Sequence, residues 1–284
     1  MSRPSSRRLI VNADDYALAE GVSRGILRAH AEGVVTSTSI LAVGSAFRET
    51  VGRLRDFPNL GTGAHLAAVG VDPPLLGARE IPSLVDRGGR LARSWKGFLP
   101  RAALGRIDPE DLYREFRAQI RALLDAGLTL THLDTHQHLH LWPMVRNVVF
   151  RLAAEFGIPA IRLPRSHGRR ATGLLVNRLA RGLSDGIAAA GLRAPDDFAG
   201  FDEAGRMTGE VLVAAVGRLA AGGGEVCELG THPGEKDDAA AARYAWGHGW
   251  EAELAALVSD AARAAIEEGG FELVNFAAIH PGTA

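Results

Sequence analysis

The eleven residues Leu130-Thr131-His132-Leu133-Asp134-Thr135-His136-Gln137-His138-Leu139-His140 hold four of the chain's ten histidines and a carboxylate. In an extended strand alternate side chains share a face, so His132, Asp134 and His136 point one way and Leu133 and Thr135 the other. Burying such a face costs several kcal/mol unless its groups bond one another or bind an ion. Other stretches offer partners: Asp14-Asp15 after Leu9-Ile10-Val11-Asn12, His65 within Gly61 to Leu66, and His232 in Thr231-His232-Pro233-Gly234. A carboxylate and two imidazoles from separate strand ends are a ligand set for a catalytic divalent metal that keeps positions open for water. Asp15, His65 and His136 can supply that set. Asp14 is then free to take a proton from the bound water, whose pKa the metal lowers toward about 7. His232, with an imidazole's usual pKa of about 6.5, suits protonation of a leaving group. Asp134 and His132 are expected to orient the ligands from behind, and His138 and His140 have no assigned role. The competing readings are a hydrogen-bonded polar cluster, an Asp14-Asp15 helix cap and an outward-turned His232.

These residues must be positioned by alternating strands and helices. Strands are expected over 8–12, 36–43, 60–66, 128–136, 158–163, 225–230 and 271–276. Between them, apolar residues at helical spacing predict helices over 19–32, 46–57, 143–156, 207–221 and 250–268. Another begins at Asp108-Pro109-Glu110, where proline takes the first helical position, and carries the stripe Leu112, Phe116, Ile120 and Leu123. Each strand followed by a helix implies a parallel sheet, here a distorted, incomplete (β/α) barrel of about seven parallel strands, with sites at the strands' carboxyl ends. Asp14, Asp15, His65, His136 and His232 all fall there. Loop insertions are expected near 67–107 and 164–205, the first a substrate-facing loop with short helices, and 235–248 is expected to be a polar surface loop. No repeat or linker divides residues 1–284, so a single domain is expected.

Composition narrows the partners. A formal charge of −1 gives no field that would gather nucleic acid, so a small molecule is the expected partner. No run approaches the roughly 20 apolar residues of a membrane span, and the apolar run after the basic amino terminus is too short for a signal peptide. The single cysteine, Cys227, cannot form an internal disulfide and reads as a buried inert thiol, which together with the rest suggests the cytoplasm. The basic run Arg165, Arg169, Arg170, Arg178 and Arg181 is either a solvated helix face or an anion-recognising one.

Five ordered stretches together resemble the YdjC-like carbohydrate deacetylases: 9–16 with its paired aspartates, 33–38, Ala64-His65-Leu66, 131–140, and Thr231-His232-Pro233-Gly234. The resemblance covers nearly the whole chain. It implies a distorted barrel that removes the acetyl group from an N-acetylamino sugar, as an oligosaccharide, a glycolipid or a sugar-bearing natural product. It further implies one divalent metal ion, zinc or magnesium first and nickel, cobalt or manganese as alternatives, held by Asp15, His65 and His136, with Asp14 as base and His232 as acid. Two departures, Tyr16-Ala17 after the paired aspartates and Ala67-Ala68-Val69 after His65, alter the pocket wall and remove no ligand. Arg162, past a strand end, is a candidate either for orienting the site's ligands from behind or, with Arg165, for holding a sugar substituent or phosphate, and Trp95 or Trp142 for stacking on a sugar ring. Other metal-dependent chemistry on sugar phosphates, and sugar binding without turnover, stay open, because ligand type fixes neither substrate nor bond. A homodimer is compatible with everything in the sequence.

Overall fold

The alternation is present in the computed structural model, which describes residues 7–168 and 170–279. β1 (Arg7–Tyr16) leads into α1 (Glu20–Ala31), β2 (Ser37–Ile40) into α2 (Phe47–Thr50), and β3 (Gly61–Leu66) into a long excursion containing α3 (Trp95–Ala103). Then come α4 (Pro109–Asp125), β4 (Leu130–Thr135), α5 (Pro143–Phe156), β5 (Ala160–Ile161), α6 (Ala171–Ala189) and β6 (Asp197–Ala199). The chain continues through α7 (Gly209–Gly222), β7 (Val226–Thr231), α8 (Asp238–Tyr244), α9 (Trp250–Leu257), α10 (Asp260–Glu268) and β8 (Phe271–Leu273). The strands are parallel in the order β5-β4-β3-β2-β1-β7-β6, with β8 beside the start of β1. The sheet curls into a half-barrel, and residues 193–196 reach across its open side. Arg193 donates its N–H to the Pro159 carbonyl and accepts from Ile161, and Asp196 donates to Val226.

Strand alternation sorts the interior into layers. Ile10, Ala160, Val226 and Phe276 form a small apolar cluster of their own, apart from the main core. Two residues further along each strand the inward positions turn polar: Asn12 on β1, Arg162 after β5 and Glu228 on β7, all fully buried. Ser39 on β2 and His132 on β4 share this layer through their hydrogen bonds. Asp14, Asp134 and His65 lie above. Leu9, Val11 and Leu133, of opposite parity, pack in the main core with the helices' apolar faces, such as Leu112, Phe116, Ile120 and Leu123 of α4. Asp108 caps α4 by accepting the Glu110 N–H at 2.9 Å, with Pro109 in the first turn.

Three local expectations change. β6 was not foreseen, since it is three residues long and lacks the β-branched run that marks a strand. The helix expected over 250–268 is two, because the Ser259 hydroxyl accepts from the Ala262 N–H and starts α10 afresh. The stretch 46–57 winds as a short α-helix followed by a 3-10 turn over Val51–Asp56. Arg169 of the basic run lies outside the described residues. Among those described, no helix is long and apolar enough to cross a membrane.

Candidate metal centre and active site

The adjacent aspartates both reach the site because β1 ends in a left-handed turn. Asp15 has φ +69° and Ala17 φ +72°, and the ladder to β2 shifts between Ala13 and Tyr16. The alternation that would send Asp15 to the opposite face is thereby broken. His65 pairs in register with Asp134 across β3 and β4, and His136 follows directly at the end of β4. Asp15 Oδ1 then lies 3.1 Å from His136 Nδ1 and 3.4 Å from His65 Nε2, with the two ring nitrogens 3.3 Å apart.

That triangle fits a metal ion. Asp15 Oδ1 is buried without a hydrogen-bond partner, which costs free energy unless a cation meets it. Two imidazoles and one carboxylate converging at this spacing match the donor set of a catalytic zinc site. Burial alone would push the His65 imidazole's pKa down, but the Asp134, Asp14 and Asp15 carboxylates outweigh it and raise the pKa to about 9. The site therefore favours positive charge at this point. Burial works against the Asp15 carboxylate, yet His136 and His65 hold it well below the usual carboxylate range.

Behind the triangle, Asp134 fixes His65: its Oδ1 accepts from His65 Nδ1 at 2.8 Å, leaving Nε2 toward Asp15. Asp134 also accepts from Ser39 Oγ at 3.0 Å. A second grouping of potential ligands, Asp14, His65 and Asp134, already has a cation in Arg162. The Arg162 guanidinium is fully buried and grips both Asp14 oxygens at 2.7 Å, while its Nε donates to Glu228 Oε1 at 2.7 Å. Arg162 thus holds the protein's own carboxylates and faces no solvent, which fits the orienting role of its two expected ones and not the sugar or phosphate contact. One guanidinium cannot neutralise three carboxylates. Burial favours protonation of all of them, but Arg162 keeps Asp14 and Asp134 low, whereas burial wins at Glu228 and raises its pKa to about 8.

His232 stands at the end of β7 with Nε2 3.9 Å from Asp14 Oδ2. Its backbone N–H donates to Glu253 Oε2 at 2.6 Å, and the same oxygen lies 3.9 Å from the ring Nδ1. Glu253 is buried in α9 and also accepts the Met207 N–H, so it ties the His232 loop to the helix layer.

The other histidines of the cluster serve elsewhere. His132 stacks on Phe276 with centroids 3.7 Å apart, and burial lowers its pKa to about 3. Its ring occupies the space a Cβ on Gly63 would need, 2.2 Å away. His140 bonds the Thr135 hydroxyl at 2.7 Å and the Arg162 carbonyl at 3.1 Å. His138 sits at φ +53° in the turn after β4 and lines the site cavity.

Asp14, Asp15, His65, His136 and His232 all open onto one cavity of about 520 Å3. Trp95 and Lys96 from the long excursion, Phe201, and Trp246 and His248 supply the rest of its wall. The 235–248 stretch is therefore no mere surface loop. Its aromatic residues touch in sequence, Tyr244 tilted against Trp246 with centroids 5.1 Å apart and Trp246 edge-on to His248 at 5.4 Å, and the Trp246 centroid also lies 5.3 Å from that of His136. The period-two series Tyr244, Trp246, His248, Trp250 was the signal for this wall. Arg165 lines a separate groove with Arg193, and Trp142 a neighbouring cavity. Cys227 is buried, and burial pushes its thiol up to about 11, as expected for an inert residue.

Comparison with known proteins places the chain. Carbohydrate deacetylases from Brevibacillus brevis, 39% identical over 157 residues, and Oceanobacillus iheyensis, 36% identical over 155, match 55% and 54% of this chain and 59% and 63% of their own. The chain spans about three-fifths of the length of these curated relatives. Over its full extent it is similar to a solved structure from Enterococcus faecalis described as a candidate cellobiose-phosphate cleavage protein: TM-score 0.82, 27% identity, 98% of this chain and 100% of that one. An uncharacterised Agrobacterium tumefaciens protein shares the fold at TM-score 0.52 and 14% identity. The family described as YdjC-like protein matches residues 8–268, nearly the whole chain, which therefore belongs to the YdjC-like family.

Proposed function

We propose that this chain is a metal-dependent deacetylase that hydrolyses the acetamide of an N-acetylamino sugar. The carrying observation is the triangle of Asp15 Oδ1, His65 Nε2 and His136 Nδ1 beside a facing pair, Asp14 Oδ2 and His232 Nε2, 3.9 Å apart. The deacetylase names of the relatives from Brevibacillus and Oceanobacillus supply the substrate class.

When bound to Asp15, His65 and His136, a divalent ion would polarise the acetamide carbonyl and lower the pKa of water; the donor set suits zinc, with magnesium, nickel, cobalt and manganese as alternatives. The protein's own groups do the proton work. Asp14 Oδ1 accepts from both Arg162 and Asn12 while Oδ2 accepts from Arg162 alone, so Oδ2, on the His232 side, takes the proton from the attacking water. Arg162 keeps Asp14 ionised and aimed, at some cost in basicity. His232 donates to the departing amine nitrogen, and Glu253 steadies the charged imidazole. Trp246 and Phe201 in the wall limit water around the acetamide. The same reading treats residues 1–284 as one domain and assigns the enzyme to the cytoplasm.

Acetate release from a panel of N-acetylhexosamine derivatives, with metal restored, tests this. Release that is abolished by chelation is expected, and none from any member would refute the substrate assignment. The likeness to the Enterococcus faecalis protein favours one rival, cleavage of a phosphorylated disaccharide. Phosphate or reducing sugar released without acetate would establish it instead.

A further inference from the structure

The loop that carries His232 is fixed through its backbone, whereas the imidazole is not. The His232 N–H donates to Glu253 and the Gly234 N–H to the Trp250 carbonyl at 3.1 Å, so α9 holds the loop on both sides of Pro233. The ring makes no hydrogen bond to the described residues: Nε2 stops 3.9 Å from Asp14 Oδ2, and Nδ1, 3.9 Å from Glu253 Oε2, is buried without a partner. An imidazole free to turn about its Cβ–Cγ bond would aim Nε2 at the departing nitrogen for only part of the time. What packs against it is a second histidine. His248 meets the His232 ring in an edge contact, with centroids 5.0 Å apart and planes at 64°, and lines the same cavity. We propose that His248 is a positioning residue, whose ring holds the His232 imidazole in the orientation that delivers its proton. The inference rests on the deacetylase reading, in which His232 is the acid.

His248 is itself a rigid neighbour. Its ring lies on Gly205, where a Cβ would stand 2.3 Å from His248 Cδ2, and Gly205 has φ +73°, a backbone that glycine adopts without strain. The Gly249 N–H donates to the Gly205 carbonyl at 2.8 Å and ties the two segments together beside the ring. Trp246 and Trp250 stand edge-on to the ring with centroids at 5.4 and 6.4 Å. The segment is anchored ahead of them by the Tyr244 hydroxyl, which donates to the Leu18 carbonyl at 2.8 Å. A ring clamped by Gly205 and two tryptophans does not yield when its neighbour turns, which is what a stop for His232 requires. Burial, with His232 and His136 adding to it, lowers the His248 pKa to about 4. At neutral pH the ring is therefore uncharged, so it neither competes for the proton nor repels a charged His232.

The test measures kcat, KM and metal content in the metal-restored full chain, on the most active member of the N-acetylhexosamine panel. The variants are His248→Ala, His248→Phe, Gly205→Ala, which pushes the ring from its seat, and the double variant Gly205→Ala/His248→Ala. His248→Ala should lower kcat by about 10- to 100-fold with KM and metal content unchanged, and His248→Phe, which keeps a ring at this place, should recover most of it. Gly205→Ala should also lower kcat, and adding it to His248→Ala should cost nothing further, since both act through one ring. Unchanged kcat in His248→Ala, or additive losses, overturns the proposal. So does a His248→Phe no better than His248→Ala; a raised KM with it would make the imidazole a substrate contact instead. Should His248→Ala not fold, Gly205→Ala carries the test, and unchanged kcat there overturns the proposal equally. If no sugar releases acetate, the deacetylase reading has failed, and the ring NMR signals of His232, assigned by their loss in His232→Gln, still decide the positioning. They should be alike in the native chain and His248→Phe and averaged by ring rotation in His248→Ala; signals identical in all three overturn it.

Discussion

The division of labour between two neighbouring carboxylates is the finest feature of the site. Asp15 Oδ1 lacks a partner and sits against two imidazole nitrogens, whereas both Asp14 oxygens are held by Arg162. Asp14→Asn should therefore retain metal and lose about 10²- to 10⁴-fold in kcat, measured by metal content and acetate release on one preparation; loss of the ion would show the roles reversed. Glu228 gives a pH prediction. Its folded pKa, raised to about 8, exceeds the usual glutamate value of 4.5, so the folded state keeps a proton that the unfolded state releases between those limits. Stability from this group falls as pH rises through that window, and Glu228→Gln, fixed as neutral, escapes the fall. Denaturant titrations from pH 5 to 8 should show the variant gaining on the native chain by up to about 1.4 kcal/mol per pH unit; a constant gap would contradict it. Asp14, Asp15, His65, His136 and His232 were legible because each closes a recognisable strand. Glu228 was hidden in the apolar-looking run Val226–Thr231, where only its inward parity with Val226 marks it, and Glu253 inside a helix gave no signal at all.

At the scale of elements, the site depends on close backbone approaches that side chains would spoil. Gly25 of α1 faces Gly234, and a Cβ there would stand 2.4 Å from Gly234 Cα with no flexible neighbour to yield. Gly25→Ala should push the Thr231-His232-Pro233-Gly234 loop outward. The expected cost is about 1–3 kcal/mol of stability and up to about 100-fold in kcat, with metal retained because no ligand lies on that loop. Unchanged kcat in a folded variant would argue that His232 has no part in turnover. β1 and β7 were readable from their apolar runs, β4 from its period-two alternation, β3 from its glycines ahead of His65, and α4 from its cap and stripe. β6 and the break between α9 and α10 were not, since one depends on sheet closure and the other on a single hydroxyl.

For the whole molecule, the layered interior explains why a half-barrel can carry so much buried charge. An apolar floor of Ile10, Ala160, Val226 and Phe276 supports a polar layer whose charges pair with one another, and that layer aims the groups at the mouth. The loops around the mouth are tied together rather than free: Tyr244 and Arg243 both bond Asp72, joining the excursion after β3 to the wall that carries Trp246 and His248. The parallel barrel was evident from the alternation of strands and helices, but this loop architecture was not, because it depends on contacts between segments about 170 residues apart. The measurement that bears most directly on the account is metal content per chain for the native protein and for folded His65→Ala, His136→Ala and His232→Ala variants. About one divalent ion in the native chain, lost in the first two variants and kept in the third, is the predicted result. No ion in the native chain after incubation with candidate metals, or equal content in all four proteins, would contradict it.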